Sequence, residues 1–199
     1  MGILSDISFN QAVEILTVAL SLLYVGLIAF NRRSGWWFGI AASILSVWLF
    51  IRVNLLAESI LYVYYVGMGL YGYFHWKYTA ALDSNPRIQT RSIRFHLGTI
   101  AISVCLILGL AQVLSLINSS NIYADASTTV FSFVATWMVA QRILENWLYW
   151  VAIDAFSVWL YNSRELPVYA ALMAFYSLIA IVGFFLWFRE YRGQTPENG

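Results

Sequence analysis

The sequence has little charge, almost no cysteine and few prolines. Only 11% of its 199 residues are charged, against roughly 25% in an average soluble domain. The single cysteine, Cys105, lies within an apolar run, which excludes a disulfide framework. The 11 lysines and arginines sit in loops rather than in one patch, so the net charge of +1 gives no indication of nucleic-acid binding. With 61% apolar residues and a mean hydropathy of +0.70, the chain is predicted to be a polytopic membrane protein.

The motifs of several enzyme classes are also missing. There is no P-loop, no GxGxxG and no GxSxG. The two histidines, His75 and His96, are far apart, and neither has a partner at metal-ligand spacing. The seventh apolar run contains no lysine, which excludes a retinal Schiff base. Residues 1–10 lack the basic region of a secretory signal, so the first apolar run is expected to remain as a membrane span. We therefore predict a protein that is not an enzyme and holds neither a metal nor a cofactor.

Seven apolar runs are long enough, or nearly so, to cross a bilayer, which takes about 20 helical residues. They cover residues 12–30, 36–51, 59–76, 97–117, 128–141, 147–161 and 168–188. The basic residues of the connecting loops predict how the chain is oriented. Nine of the 11 lie on one side of this arrangement, and only Arg52 and Arg164 lie on the other. The positive-inside rule then places the N-terminus outside and the C-terminus in the cytoplasm.

Two parts of the sequence repeat each other at an offset of 111 residues (147 − 36). Sliding residues 35–78 onto 146–189 gives about 12 identities in 44 positions, among them Trp36 with Trp147 and Gly72 with Gly183. This predicts a first three-helix repeat at 10–78, a cytoplasmic loop and linker helix at 79–120, and a second repeat at 121–192. An odd linker makes the repeats parallel. Parallel repeats are one transporter design, with the substrate site at the repeat interface near the midplane.

One stripe of the sixth apolar run carries the polar residues that suggest a site. At helical spacing, Asn146, Trp150, Asp154 and Ser157 fall on the same face. A carboxylate inside a membrane span is costly unless it faces a cavity or a partner, so it indicates function. A tryptophan face beside a carboxylate suits a flat cation or a sugar hydroxyl. The packing alternative is an aromatic belt with Asp154 paired to a neighbouring helix. In the first repeat Ser43 occupies the position equivalent to Asp154.

The sixth and third runs also resemble a known family. The segment 145–154, which reads E-N-W-x-x-W and then Asp154, resembles a motif of the bacterial vitamin transporters of the PnuC type. The third run, with Tyr64-Tyr65, Tyr71-Gly72 and Trp76, is similar to the third helix of that family. The three-plus-one-plus-three plan is also the family's, as a full-length relative of the sugar-transporting SWEET proteins. The resemblance covers nearly the whole chain after residue 10.

The resemblance implies transport of nicotinamide riboside by facilitated diffusion across the bacterial inner membrane, in a homotrimer. It implies that net uptake is driven by a cytoplasmic kinase that phosphorylates the substrate, not by an ion gradient. Thiamine and riboflavin remain alternative substrates, and a membrane receptor that binds without transporting is an alternative of another class. The substrate contacts that we predict from the sixth run and from the first repeat are Asn146, Trp147, Trp150, Asp154, Trp37, Ser43, Tyr62 and Tyr65.

Overall fold

The computed structural model describes residues 2–52, 56–82, 87–116, 121–165 and 167–194. Within these ranges the chain forms seven α-helices, which confirms the all-α fold expected from the sequence. Residues 83–86, which belong to the predicted cytoplasmic loop, lie outside the described residues. The helices are α1 (Gly2–Ala29), α2 (Gly35–Arg52), α3 (Leu56–Leu82), α4 (Ile93–Ser115), α5 (Ile122–Ala140), α6 (Asn146–Ser163) and α7 (Pro167–Gln194).

Four of the helices found in these ranges are long and apolar enough to cross a membrane by length and composition. They are α1, α2, α4 and α7, which contribute residues 10–29, 35–52, 93–115 and 169–194. Helices α3, α5 and α6 are less apolar because they contain many tyrosine, serine and threonine side chains. Helix α6 also carries Asn146 and Asp154. Polar side chains inside a membrane helix usually face other protein or a cavity rather than lipid.

The chain divides into two compact units, residues 1–86 and residues 87–199. In the first unit, α2 packs against both α1 and α3. In the second unit, α6 packs against both α5 and α7. The linker helix α4 belongs to this second unit, where Ile107 and Ala111 of α4 pack with Ala126 and Val130 of α5. The second unit therefore contains four helices and the first contains three.

The turn that follows the first helix of each triplet has the same backbone geometry. Asn31 ends α1 in the left-handed region with φ of 52°, and Arg142 ends α5 with φ of 53°. The two positions are 111 residues apart (142 − 31). Asparagine adopts this conformation readily, whereas arginine has no such preference. The left-handed residue at Arg142 is therefore the less expected of the two.

The hydrogen bonds of these two turns also match. The Asn31 N–H donates to the Ile28 carbonyl at 2.8 Å, and the Arg32 N–H donates to Leu27 at 2.8 Å. In the second unit the Arg142 N–H donates to Val139 at 3.0 Å, and the Ile143 N–H donates to Met138 at 2.9 Å. This pair of bonds is the Schellman pattern, which satisfies the last carbonyls of a helix. The chain thus reverses direction in the same way after α1 and after α5.

An aromatic pair joins the second and third helices of each triplet at the same offset. The rings of Trp36 and Trp76 lie 5.6 Å apart at 90°, and those of Trp147 and Trp187 lie 5.5 Å apart at 90°. A glycine lies against the first ring of each pair, Gly72 in the first unit and Gly183 in the second. The edge-to-face geometry is one that aromatic pairs prefer. The parallel arrangement of the two repeats stays a prediction.

Candidate functional site

Helix α6 begins immediately after the left-handed turn and presents the polar stripe. Its first amides are satisfied by short-range bonds, such as the Asn146 N–H to the Ile143 carbonyl at 3.1 Å. Asn146 is completely buried, and its Nδ2 donates to the same carbonyl at 2.6 Å. Within the described residues its Oδ1 has no hydrogen-bond partner. A buried amide oxygen without a partner is costly, and the polar group that would satisfy it can come from a ligand.

Asp154 is a buried carboxylate on the same stripe, with 6% of its surface exposed. In the ranges that the structure describes, no hydrogen bond or salt bridge reaches it; the two recorded salt bridges join other residues. Isolated charges are expensive to bury, and buried carboxylates in proteins normally have a cationic or hydrogen-bonding partner. A buried carboxylate without a partner among the described residues is compatible with a binding role, and that role of Asp154 stays a prediction.

Trp150 lies one helical turn before Asp154 and is partly exposed. The chain has nine tryptophans, and each of the other eight contacts an aromatic ring or an arginine guanidinium. For Trp150 the described residues provide no such contact. Trp150 is therefore the tryptophan that we expect to stack on a planar or cationic ligand.

Trp147 is also on α6 but has a different environment. It is 2% exposed, it pairs edge-to-face with Trp187, and a Cβ added at Gly183 would lie 2.8 Å from its Cδ2. Because Trp36 has the same surroundings in the first unit, interhelical packing accounts for both tryptophans. A substrate contact by Trp147 stays a prediction.

The residues predicted in the first unit fall into separate groups. Ser43 is buried on α2, at the position equivalent to Asp154. Trp37 is 49% exposed and packs on Tyr73 with ring centroids 4.6 Å apart. Its position in the helical repeat places it off the face of Ser43. The structure does not bring these two residues together.

Tyr62 and Tyr65 do lie together on α3, with ring centroids 5.6 Å apart. Tyr62 also packs on Phe50 of α2 at 5.3 Å. These contacts are compatible with a packing role for the pair, and a role in binding the substrate stays a prediction.

At two equivalent positions next to the polar stripe, the large and the small side chain are exchanged between the two units. In the first unit, Gly39 of α2 lies against the ring of Tyr24, and an added Cβ would be 2.8 Å from Cδ2 of that ring. The equivalent positions of the second unit hold Trp150 on α6 and the fully buried Ala135 on α5. The large ring thus comes from the first helix in one unit and from the middle helix in the other. The exchange of large and small residues can be read by comparing the two repeats at the 111-residue offset. The contact with Gly39 is needed, however, to show that Tyr24 takes part in it.

A polar cluster at the start of α6 was not identified from the sequence. The Glu145 carboxylate accepts a hydrogen bond from the Arg91 N–H at 3.1 Å, and its Oε1 lies 4.0 Å from Nε2 of His96. Nδ1 of His96 in turn lies 3.1 Å from the Tyr149 hydroxyl. The sequence signals for this cluster are the glutamate that begins the E-N-W-x-x-W segment and its difference from Ser34, the equivalent residue of the first repeat.

No group of three or more histidine, cysteine, aspartate or glutamate side chains able to hold a metal ion occurs in the described ranges. The candidate site therefore consists of three side chains at helical spacing on α6: the Trp150 indole, and the Asp154 carboxylate and Asn146 Oδ1, neither of which has a hydrogen-bond partner among the described residues. Such a set can bind a flat ligand that carries a positive charge and hydrogen-bond donors.

The chain is similar in sequence to known proteins. The sequence profile of the nicotinamide mononucleotide transporter family matches residues 11–189. The nicotinamide riboside transporter PnuC of Escherichia coli (strain K12) is 24% identical over 213 residues, covering 94% of this chain and 88% of that protein. The transporter of the same name from Haemophilus influenzae is 24% identical over 171 residues, covering 83% of this chain and 74% of that protein.

The fold is similar to a solved structure as well. The crystal structure of the vitamin B3 transporter PnuC aligns with a TM-score of 0.77 at 18% identity, covering 98% of this chain and 88% of that chain. At this identity the similarity concerns the fold.

Proposed function

Because the chain belongs to the nicotinamide mononucleotide transporter family, we propose that it carries nicotinamide riboside across the bacterial inner membrane. The chain is a multi-pass membrane transporter and not an enzyme. The choice of substrate rests on two side chains of α6, Trp150 and Asp154. Among the described residues, the Trp150 indole has no aromatic or guanidinium contact, and the Asp154 carboxylate has no hydrogen bond or salt bridge. A pyridinium ring is flat and cationic, so it fits an indole beside a carboxylate. The ribose hydroxyls are donors for Asp154 and for the Oδ1 of Asn146.

The charge of the stripe favours the riboside over the mononucleotide. The phosphate of a mononucleotide carries a charge of about −1.5 to −2 at pH 7, and Asp154 would repel it. Helix α6 contains no lysine or arginine that could bind a phosphate. The riboside has no phosphate and keeps the positive ring, so its charge is complementary to that of Asp154.

This charge preference also supports facilitated diffusion with trapping. We propose that the transporter equilibrates the riboside without an ion gradient, and that a cytoplasmic kinase drives net uptake by phosphorylating it. A phosphorylated product is a poor ligand for an anionic site and cannot return by the same route. The nine basic residues on one side of the chain support an outside N-terminus and a cytoplasmic C-terminus. A homotrimer is part of this proposal.

Thiamine is the second candidate, because its thiazolium ring is also flat and cationic and the same pair of side chains suits it. Riboflavin is a weaker candidate, since its ring system is uncharged and leaves Asp154 without a counter-ion. A receptor that binds without transporting is less favoured, because the two units share turn and tryptophan geometry at a fixed offset, as expected for two halves of a transporter.

Tryptophan fluorescence of the purified protein tests the substrate directly. Nicotinamide riboside, nicotinamide mononucleotide, thiamine and riboflavin are titrated in turn, and we expect saturable quenching by the riboside at the lowest concentration. Stronger binding of the mononucleotide would contradict the charge argument, and stronger binding of thiamine would move the protein to a different vitamin. Counterflow of labelled riboside into proteoliposomes then separates a transporter from a receptor.

A further inference from the structure

A short extended segment, residues 87–92, crosses the turn between α5 and α6; we call it the strap. Its Gln89 N–H donates to the Arg142 carbonyl at 2.9 Å, and the Leu144 N–H donates back to the Gln89 carbonyl at 2.8 Å. These two bonds form a parallel β-bridge between Gln89 and Ile143. It is the single isolated bridge recorded in the described ranges, and the corresponding turn after α1 has none there.

The strap is also attached to the end of α7. The Ile88 N–H donates to Oε1 of Gln194 at 3.0 Å, and the hydroxyls of Thr90 and Tyr191 lie 3.5 Å apart. Ile88 itself is buried. The strap therefore connects the end of α7, the α5–α6 turn and, through the chain, the start of α4.

The turn beneath the strap is conformationally costly. Arg142 has φ of 53°, in the left-handed region that is unfavourable for residues other than glycine and asparagine. The guanidinium is buried, which lowers the pKa of Arg142 to about 10, while the nearby Glu190 carboxylate opposes the shift. The group remains charged at neutral pH. The bond from Gln89 to the Arg142 carbonyl holds the backbone of this residue in place.

Glu145 links this strap to the helix that carries the candidate site. Glutamate is not among the residues favoured at a helix N-cap, and the side chain of Glu145 makes no capping bond to α6. The carboxylate instead accepts the Arg91 N–H of the strap and faces His96 of α4. The equivalent residue in the first unit is Ser34, an ordinary capping residue.

We propose that Glu145 is the positioning residue of α6: it fixes the first turn of this helix to the strap and to His96, and thereby sets the direction of the face that carries Trp150 and Asp154. His96 reaches the same turn a second time through the Tyr149 hydroxyl. Two segments, the strap and α4, thus contact the first turn of α6, which lies one helical turn before Trp150. The consequence for substrate binding rests on the proposed function, but the positioning itself does not.

Hydrogen–deuterium exchange of the purified full chain tests the positioning. Glu145→Ala removes both links, and Glu145→Gln keeps an oxygen that can accept the Arg91 N–H. We expect Glu145→Ala to speed exchange of the strap and of the first turn of α6 by about tenfold, equivalent to about 1.4 kcal/mol. We expect Glu145→Gln to stay within about threefold of the wild type, since its neutral acceptor bond is retained. Ser34→Ala, the matched control, should leave these peptides unchanged.

Unchanged exchange in Glu145→Ala, or an equal effect of Ser34→Ala, would overturn the proposal. If Glu145→Ala does not fold, His96→Ala provides the test, because it cuts the link to α4 and keeps the Arg91 bond; it should speed exchange of the first turn of α6 but not of the strap. No change there would also overturn the proposal.

Titration with nicotinamide riboside completes the experiment. Glu145→Ala should bind about tenfold more weakly, equivalent to about 1.4 kcal/mol, with rescue by Glu145→Gln. A wild-type protein that does not bind the riboside would remove the proposed function, while the exchange pattern would still decide the positioning. Faster exchange together with unchanged riboside affinity would show that Glu145 anchors the strap without orienting the site, and would overturn the proposal.

Discussion

Replacing Asp154 by asparagine should raise the stability of the protein and weaken substrate binding. The two side chains have nearly the same size, so the substitution changes the charge and little of the packing. Asp154 is 6% exposed, and the described residues provide neither a cation nor a hydrogen-bond donor for it. A carboxylate in this environment destabilises the folded protein and strengthens binding of a cationic ligand. Its removal should therefore raise the Tm of the ligand-free protein and lower its affinity for the ligand.

The stability effect follows from the cost of burying the charge. The substitution replaces an uncompensated buried charge by a neutral amide. An unpaired neutral polar group costs about 1–3 kcal/mol to bury and an unpaired charge costs more, so the gain in stability is on the order of 1 kcal/mol. For a chain of this length each kcal/mol corresponds to roughly 2–4 °C in Tm. Without ligand, the Asp154→Asn protein should therefore unfold a few degrees above the wild type in detergent.

The binding effect has the opposite sign. A hydrogen bond to a charged group contributes about 1.5–3 kcal/mol, and each 1.4 kcal/mol is a factor of about ten in Kd. The affinity of Asp154→Asn for nicotinamide riboside should therefore fall roughly 10- to 100-fold. As a consequence, saturating riboside should stabilise the wild type more than the variant.

Thermal unfolding with and without riboside, combined with fluorescence titration, measures both effects. Ser157→Ala is a suitable control, because Ser157 is equally buried on the same stripe and carries no charge. A lower Tm for ligand-free Asp154→Asn would mean that the carboxylate has a structural partner. Wild-type affinity in the variant would refute the assignment of Asp154 to the site.

Three further predictions test the neighbouring features. Trp150→Ala should weaken riboside binding at least about tenfold, since stacking on an aromatic side chain is worth about 1–3 kcal/mol, whereas Trp159→Ala, on an exposed ring, should bind as the wild type does; equal losses would refute the special role of Trp150. Gly183→Ala should lower the Tm by several degrees, because overpacking costs about 1–3 kcal/mol and the new Cβ would meet Trp147 at 2.8 Å. Gly98→Ala, which has open space around it, is the control, and an unchanged Tm in Gly183→Ala would contradict the tight contact. A protonophore should leave riboside counterflow in proteoliposomes unchanged, and inhibition would point to proton coupling.

The two units pack their helices in the same way but carry different polar side chains. Both end their first helix with a Schellman turn and join their second and third helices through a perpendicular tryptophan pair. Yet at the 111-residue offset Ser43 is the residue equivalent to Asp154, and Gly39 is the residue equivalent to Trp150. Shared packing with unequal polar groups suits a substrate whose two ends differ, such as a cationic ring attached to a sugar.

Apolar runs and helical spacing predict the helical class, the number of helices and the position of the polar stripe on α6. These features depend on local hydrophobicity and on a period of 3.6 residues, and both are properties of consecutive residues. The 111-residue repeat can also be detected from the sequence, because the two triplets align at one constant offset without a gap. The resemblance to the family rested on the same short segments, and the family match over residues 11–189 confirmed it.

The different surroundings of the tryptophans become visible only when the helices are packed together. In the sequence Trp147 and Trp150 look alike, but Trp147 is enclosed by Trp187 and Gly183, whereas the described residues give Trp150 no aromatic or guanidinium contact. The structure likewise decided that Glu145 contacts the strap and His96, which are 54 and 49 residues away in the chain (145 − 91 and 145 − 96). Contacts of this kind depend on how distant segments pack together, and no local pattern of residues encodes them.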